Sequence, residues 1–426
     1  MKAILFLGTS LAGAKHTREA VEALGCYPIF LLKIADYAGE PREAIEKCEH
    51  HEADVNSLAD IRRAIIENKL ADKLVAVTSL LDETLHHACT IAEEFHIVGP
   101  DPTLRGLVNK AIVQSLIPEF SPPSLVFSPS KLTEMDVSAF FKAHKEFKQF
   151  FLKPTISSGA VGVSRLNKGA SADEVKQIIS QSHIEKVETQ QWIIQPQITG
   201  HLYSLEGFVR AGHPNFLGFS RRARKGLTEI SNEFPIDEDL SPQLQNRCKE
   251  AISALINRSG YMNGYFHCEF IIDTSTNQAY LTDGNMGRVA GAAIAPQIAL
   301  SYKMKLTDLY KHVFDLGLFK EAHTKDYKYP VNSRRRTISI FYCLSSPAKI
   351  LSIKLPKNMS SFHLQLAGGG VAKTSAGGSD SDWIGFIAGY KEEVLAELDH
   401  TSICTDQGIM KPFYLLDEAA HEQHEH

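Results

Sequence analysis

Residues Tyr261–Gly291 read YMNGYFHCEFIIDTSTNQAYLTDGNMGRVAG, and the rest of the chain is best understood from this stretch. Phe266 to Asp273 alternates as a strand, with His267, Glu269 and Ile271 on one face and Phe266, Cys268, Phe270 and Ile272 on the other. Tyr280 to Asn285 reads as a second strand, and the polar segment Asp273-Thr-Ser-Thr-Asn-Gln278 between them is rich in turn formers. A turn centred on Thr276 sets Glu269 directly across from Asp283, with Asn285 on the same face. Like charges facing each other in a sheet repel, so the pair calls for a cation or a shared proton between them. Two carboxylates and an amide oxygen form a hard donor set that suits Mg²⁺ or Mn²⁺ better than Zn²⁺. A surface hairpin with acidic residues on its wet face is the plainer alternative. Against it stand the apolar flanks and the run Asp283-Gly-Asn-Met-Gly-Arg288, whose small residues let backbone and arginine approach a ligand closely.

The totals exclude several classes of function. The length of 426 residues supports roughly three domains, and 43% hydrophobic with 22% charged residues is an ordinary globular composition. A net charge of -5 argues against a partner held by bulk positive charge, so no nucleic acid is expected. Seven scattered cysteines without a CxxC fit a reducing compartment and signal neither a disulfide framework nor structural zinc. The apolar run near the N-terminus is too short for a signal peptide's core, and no run approaches membrane-spanning length. A cytoplasmic, multi-domain protein with no membrane partner is the expectation.

From the N-terminus, short apolar strands at Ala3–Leu7, Pro28–Leu32 and Leu74–Val77 alternate with helices ending near Gly25, at Leu58–Leu70 and at Asp82–Phe95. That alternation predicts a parallel, doubly wound sheet. Gly8 and Gly13 fall short of GxGxxG, and no acidic residue ends the second strand, so a tight turn is the plainer reading there. A proline-punctuated hinge follows around a short helix containing Lys110. Lys153 then ends the strand Gln149-Phe-Phe-Leu-Lys and introduces Thr155-Ile-Ser-Ser-Gly-Ala-Val-Gly-Val163. An ammonium beside a loop of small and hydroxyl-bearing residues is suited to phosphate, since backbone N–H groups can approach the oxygens. In isolation a surface turn would be the better reading, and no P-loop motif occurs in the chain. Ser171 and Glu174 form a capping box at a helix start. A strand ending at Gln195 leads into Pro196-Gln-Ile-Thr-Gly200, and Tyr203–Val209 pairs with Phe216–Phe219. The basic cluster Arg221, Arg222, Arg224 and Lys225 reads as a loop that meets anionic substrate or phosphate.

Taken in order, Lys110, the Lys153 strand with its loop, the Gln195–Gly200 hinge, Glu269 and Asp283-Gly-Asn resemble the ATP-grasp superfamily. The likeness is greatest to carboxylate–amine ligases related to L-amino acid ligases, with a biotin carboxylase-like architecture. It spans nearly the whole chain, carried by the order and spacing of the segments. The resemblance implies an α/β (α+β) fold in three parts: a Rossmann-like parallel-sheet domain over 1–100, an ATP-grasp domain over 101–330 with its lid at about 125–195, and a β-rich C-terminal domain with a tail over 331–426. It implies ATP and Mg²⁺ (or Mn²⁺), usually two ions, as cofactors. Lys110 and Lys153 would hold the phosphates, and the loop containing Ser157, Ser158, Gly159 and Val161 would close over the nucleotide. Gln195, Pro196 and Ile198 would line the adenine pocket, Glu269, Asp283 and Asn285 would hold the metal, and Arg288 would neutralise the transferred phosphate or the substrate carboxylate. The partners implied are a small-molecule carboxylate and an amine, amino acids among them, and a homodimer.

The chain departs from the family pattern in four places. Gln195 stands where Glu is common, Leu202 replaces a frequent ribose-binding Glu, and Asp283 replaces Glu. One extra residue separates Asn285 from Arg288, so Arg221 or Arg222 is a candidate to take over its role. The implied activity is amide or peptide bond formation through an acyl phosphate. A carboxylase-type or nucleotide-precursor ligase is the alternative within the fold, and a catalytically silent ATP-binding module is the alternative outside enzymes. In the C-terminal part, strands are expected at Thr337–Cys343, Ile350–Leu355 and Ile384–Ala388, with Gly368-Gly-Gly and Gly377-Gly as turns and the histidine-rich tail as a solvated terminus.

Overall fold

The computed structural model describes residues 2–37, 39–157, 161–182, 190–225, 228–290, 293–323, 327, 329, 334–354, 361–364, 371–372 and 383–414. Ser158, Gly159, both C-terminal glycine runs and the histidine-rich tail lie outside them. The chain begins with β1 (Lys2–Leu7), α1 (Leu11–Glu22), β2 (Cys26–Leu32), α2 (Gly39–Glu46), β3 (Glu49–Glu52), α3 (Leu58–Glu67), β4 (Leu74–Thr78) and α4 (Asp82–Glu94). The strands form a parallel sheet in the order β3-β2-β1-β4. β1 after Lys2, and all of β2, are apolar because helices cover both faces of such a sheet. Gly8 closes β1 at φ +74°, and a Cβ there would stand 2.5 Å from Leu81 Cδ1, so the turn packs directly on the loop that enters α4.

Two short helices, α5 (Leu104–Leu107) and α6 (Lys110–Leu116), lead into a small antiparallel unit. It consists of β5 (Leu125–Phe127), α7 (Glu134–Ala143), β6 (Gln149–Pro154), β7 (Ser164–Asn167), α8 (Ala172–Gln181) and β8 (Trp192–Pro196), with strand order β5-β8-β6-β7. Its own core gathers Phe150, Leu152, Val175, Ile179, Trp192 and Ile194. Reciprocal capping boxes, Thr133 with Asp136 and Ser171 with Glu174, start α7 and α8.

The central part comprises β9 (His201–Arg210), β10 (His213–Lys225), β11 (Thr228–Phe234), α9 (Pro242–Ser259), β12 (Gly264–Asp273), β13 (Gln278–Met286), α10 (Ile294–Ser301) and α11 (Leu306–Phe319). It is followed by β14 (Thr337–Tyr342), β15 (Ala348–Lys354), β16 (Ser361–Leu364), β17 (Val371–Ala372), β18 (Gly385–Tyr390), α12 (Lys391–Glu397), β19 (Ser402–Thr405) and β20 (Gly408–Met410). An eight-stranded antiparallel sheet runs β13-β12-β9-β10-β11-β14-β18-β16, so strands of the C-terminal region continue the central sheet. A four-stranded sheet, β17-β15-β19-β20, lies beside it in chain order. Helix α9 starts with Ser241 as N-cap and Pro242 at its first position and ends at left-handed Gly260. Its Leu244, Cys248, Ala251, Ile252 and Leu255 share a core with Cys268, Phe270 and Leu281, the apolar face of the hairpin. No described helix is long and apolar enough to cross a membrane.

Two local expectations need correction. Glu269 does pair with Asp283, yet the register slips by one between Glu269 and Phe270, so Phe270 faces Leu281 and Asp273 faces Gln278. This bulge shortens the connection to residues 274–277, where the Asp273 carboxylate accepts the Ser275 N–H at 2.9 Å. Residues 221–225 also form no loop. They are the end of β10, paired with β11.

Candidate active site

The polar face of the central sheet carries the candidate residues in register. One row runs Asp283 on β13, Glu269 on β12, Ser204 on β9 and Ser220 on β10; the next holds Asn285, His267 and Glu206. The period of two places these side chains on one face and Cys268 and Phe270 on the other, and the bulge after Glu269 turns Leu281 to that apolar face as well. Asp283 and Glu269 are both partly buried, with 23% and 17% of their side chains exposed, so neither charge is fully dispersed by water.

Each carboxylate has its own cation. Lys110, the first residue of α6, places Nζ 3.0 Å from Asp283 Oδ2 and donates to the Ser157 carbonyl at 2.8 Å. Its backbone N–H donates to the Thr155 carbonyl at 2.8 Å, so α6 and the loop after β6 are tied together at two points. Lys153 comes from β6 and donates to the Thr282 carbonyl at 3.3 Å, next to Asp283 in the chain. Burial lowers the Lys153 ammonium to about 8; Asp283 opposes that shift and nearby Lys110 adds to it. Two lysines from different elements thus converge on one end of the hairpin.

At the other end, Arg222 reaches Glu269 with one Nη and Glu229 with the other. Burial works against the Glu229 charge, but Arg222 and Arg224 outweigh it and hold this carboxyl below the usual range. His267 lies 2.8 Å from Glu206 Oε1 through Nδ1 and 3.3 Å from Glu269 Oε1 through Nε2. The Ser204 hydroxyl donates to Glu206 at 2.7 Å. Glu269 is therefore positioned from below by a buried polar chain. Sequence reading passed over Glu206, Glu229 and the bracing role of His267; the alternation of β12 already put His267 on this face.

Gln195 is buried and donates through Nε2 to Gln114 Oε1 at 3.0 Å, which links the β8 hinge to the lysine-bearing helix α6. Gln114 Nε2 and Gln197 Oε1 are buried without a hydrogen-bond partner among the described residues, a donor and an acceptor left over at the hinge. Pro196 pairs with Phe150 at the end of β8, and Ile198 follows it half-buried. Val161 is 55% exposed on the loop. Arg288 stands apart from these groups and forms a bidentate ion pair with Asp82, at the start of α4 in the N-terminal sheet. Burial opposes its charge, and the Asp82 carboxylate raises it regardless. A cleft between the sheet, α6 and α4 is lined by Asp82, Glu83, Lys110, Ser157, Asp283 and Asn285, among others.

The donor set suits Mg²⁺: two opposed carboxylates with an amide one pleat along, on a face without thiols, leaving coordination positions for phosphate and water. Among the described residues no group of three or more His, Cys, Asp and Glu side chains is arranged to hold a metal ion.

Residues 147–296 match the ATP-grasp domain family. Three solved structures resemble the chain over most of its length. Phosphoribosylglycinamide synthetase from Anaerococcus prevotii is 13% identical, with a TM-score of 0.66, covering 94% of this chain and 99% of that one. L-amino acid ligase from Bacillus licheniformis is 15% identical, with a TM-score of 0.68 and coverage of 93% and 95%. The biotin carboxylase domain of Hydrogenobacter thermophilus 2-oxoglutarate carboxylase, in complex with MgADP and bicarbonate, is 14% identical, with a TM-score of 0.70 and coverage of 96% and 91%. No curated protein matches the sequence. Residues 147–296 thus carry an ATP-grasp domain, and the chain as a whole shares its fold with these three structures.

Proposed function

We propose that the chain is an ATP-dependent ligase that joins a small carboxylate to an amine through an acyl phosphate, releasing ADP and phosphate. The observation that carries this reading is the convergence of Lys110 and Lys153 on Asp283, directly opposite Glu269. Phosphoryl transfer depends mainly on alignment and charge neutralisation, and this end of the hairpin is built for both. Lys110 and Lys153 bind and align the nucleotide's phosphates. Gln195, Pro196 and Ile198 line the base, where the leftover donor of Gln114 and acceptor of Gln197 match the hydrogen-bonding edge of adenine. Glu269, Asp283 and Asn285 would hold Mg²⁺, which would supply positive charge against the nucleotide's phosphates. Ser157, whose carbonyl accepts from Lys110, stands beside these phosphate-binding groups.

The test is ADP and phosphate release from Mg·ATP with pooled L-amino acids and small carboxylates, with products weighed by mass spectrometry. Release that needs a substrate pair, yields a product one water lighter than its reactants and falls about 10²–10³-fold in Glu269→Ala supports the reading. Full release in that variant sinks it, and nucleotide binding without turnover across the pool points instead to a silent ATP-binding module.

A further inference from the structure

Two arginines border the site, and they are engaged in opposite ways. In Arg288 every nitrogen is committed: Nε and one Nη meet the two oxygens of Asp82, and the other Nη donates to the Val289 carbonyl at 3.3 Å. Three of its five N–H groups are thus engaged within the protein, and the guanidinium spans from the end of β13 to the start of α4. Arg222 is partly buried on the face of the sheet that carries the candidate residues, with 11% of its side chain exposed. One Nη meets Glu269 and lies 3.5 Å from His267 Nε2, and the other meets Glu229. Its Nε is buried and without a hydrogen-bond partner among the described residues. An unsatisfied buried N–H of a charged group costs free energy unless a ligand supplies the acceptor. Glu229 is itself fixed by the Asn232 side-chain amide, so the guanidinium is anchored on one side. Across the site the charges run Glu229, Arg222, Glu269, Asp283 and Lys110, with the two facing carboxylates flanked by a cation on each side.

We infer that Arg222 is the arginine that meets the transferred phosphoryl group, and that Arg288 is a strut holding the N-terminal sheet to the end of β13. The inference rests on the ligase reading proposed above. In the transfer, a lone pair of the substrate carboxylate forms the new P–O bond while the bond to the ADP oxygen breaks and its electron pair stays on ADP. No proton and no further reactant is needed. Negative charge is carried by the three phosphoryl oxygens throughout, and a planar guanidinium with a vacant N–H spreads it better than an ammonium. With Glu269 shared with a divalent cation, Arg222 retains Glu229 as its anchor and has its Glu269 edge and Nε to offer.

The experiment needs no turnover. Binding of Mg·ADP and of the Mg complex of the imido-bridged, non-hydrolysable ATP analogue is measured by calorimetry for wild type, Arg222→Ala, Arg222→Lys, Arg288→Lys and Asp82→Asn. The preference for the triphosphate over ADP is expected to fall about 10- to 100-fold in Arg222→Ala, less in Arg222→Lys, and to recover partly when guanidinium ion is added at low millimolar concentration. Arg288→Lys and Asp82→Asn keep the preference and instead lower the unfolding temperature. If Arg222→Ala does not fold, Arg222→Lys carries the test, since it keeps the charge and removes only the fork. An unchanged preference in the Arg222 variants, or a loss of it in Asp82→Asn as large as in Arg222→Ala, overturns the assignment. Loss of the preference at Arg222 in a protein that ligates no acid sinks the ligase reading alone.

Discussion

Lys153 ties nucleotide binding to pH. Burial holds its ammonium at about 8, while a lysine in water titrates near 10.4. The folded protein therefore binds fewer protons than the unfolded chain between these values, and charged Lys153 works against stability below pH 8, a penalty that is relieved progressively as pH rises from 8 to about 10.4. A polyphosphate beside it reverses the balance, because the anion favours the ammonium. With a free-state value of about 8, roughly 10% of the protein lacks this proton at pH 7, about half at pH 8 and about 90% at pH 9. Binding Mg·ATP then takes up roughly 0.1, 0.5 and 0.9 proton at these three values, and above pH 8 the Kd rises about tenfold per pH unit. The phosphate's own last proton leaves near pH 6, well below this window. Calorimetric titration in two buffers of different ionisation enthalpy counts the protons directly. Lys153→Arg, which stays ionised, should flatten both the uptake and the pH dependence. A Kd constant from pH 7 to 9 with no proton uptake at pH 8.5 in the wild type would refute the reasoning.

Other predictions follow from packing. At Gly284 a Cβ would stand 2.9 Å from Val113 Cγ1, below ordinary contact, so Gly284→Ala pushes α6 and with it Lys110 away from Asp283. A stability loss of about 1–3 kcal/mol should appear in denaturant titration together with weaker Mg·ATP binding, and unchanged ATP affinity would show that α6 does not move. Ile252 is fully buried in the core shared by α9 and the hairpin, so Ile252→Ala should cost about 2–5 kcal/mol. A loss under 1 kcal/mol in the same titration would contradict that packing. Ser171→Ala removes the capping box of α8 and should weaken that helix by about 1 kcal/mol, seen as faster amide exchange over 172–181 with the exchange of α9 unchanged.

The site divides into what alternation can reveal and what only the assembled sheet can. Glu269 opposite Asp283 was legible because a period-two strand, a polar turn and a second strand leave one register that buries the apolar face. The bulge after Glu269 was not, since an extra residue at one point changes no side chain's chemistry. β3 escaped notice because Glu-His-His-Glu offers no apolar alternation; it is an edge strand whose side chains remain partly exposed. The two arginines make the sharper case. In sequence, Arg288 follows the acidic motif and Arg222 sits in a basic run, and proximity along the chain favours Arg288. Yet Arg288 is drawn off by Asp82, 206 residues earlier, while Arg222 is brought over β9 onto Glu269 and braced by Glu229 of the next strand. On the proposed ligase reading a positive charge is required at the transferred phosphoryl group, and Arg288 is committed to Asp82 instead. A sheet that already presents a braced arginine from a neighbouring strand can meet the need without restoring the spacing, so the order of motifs in this fold constrains the chemistry more tightly than the identity of the residue that performs it.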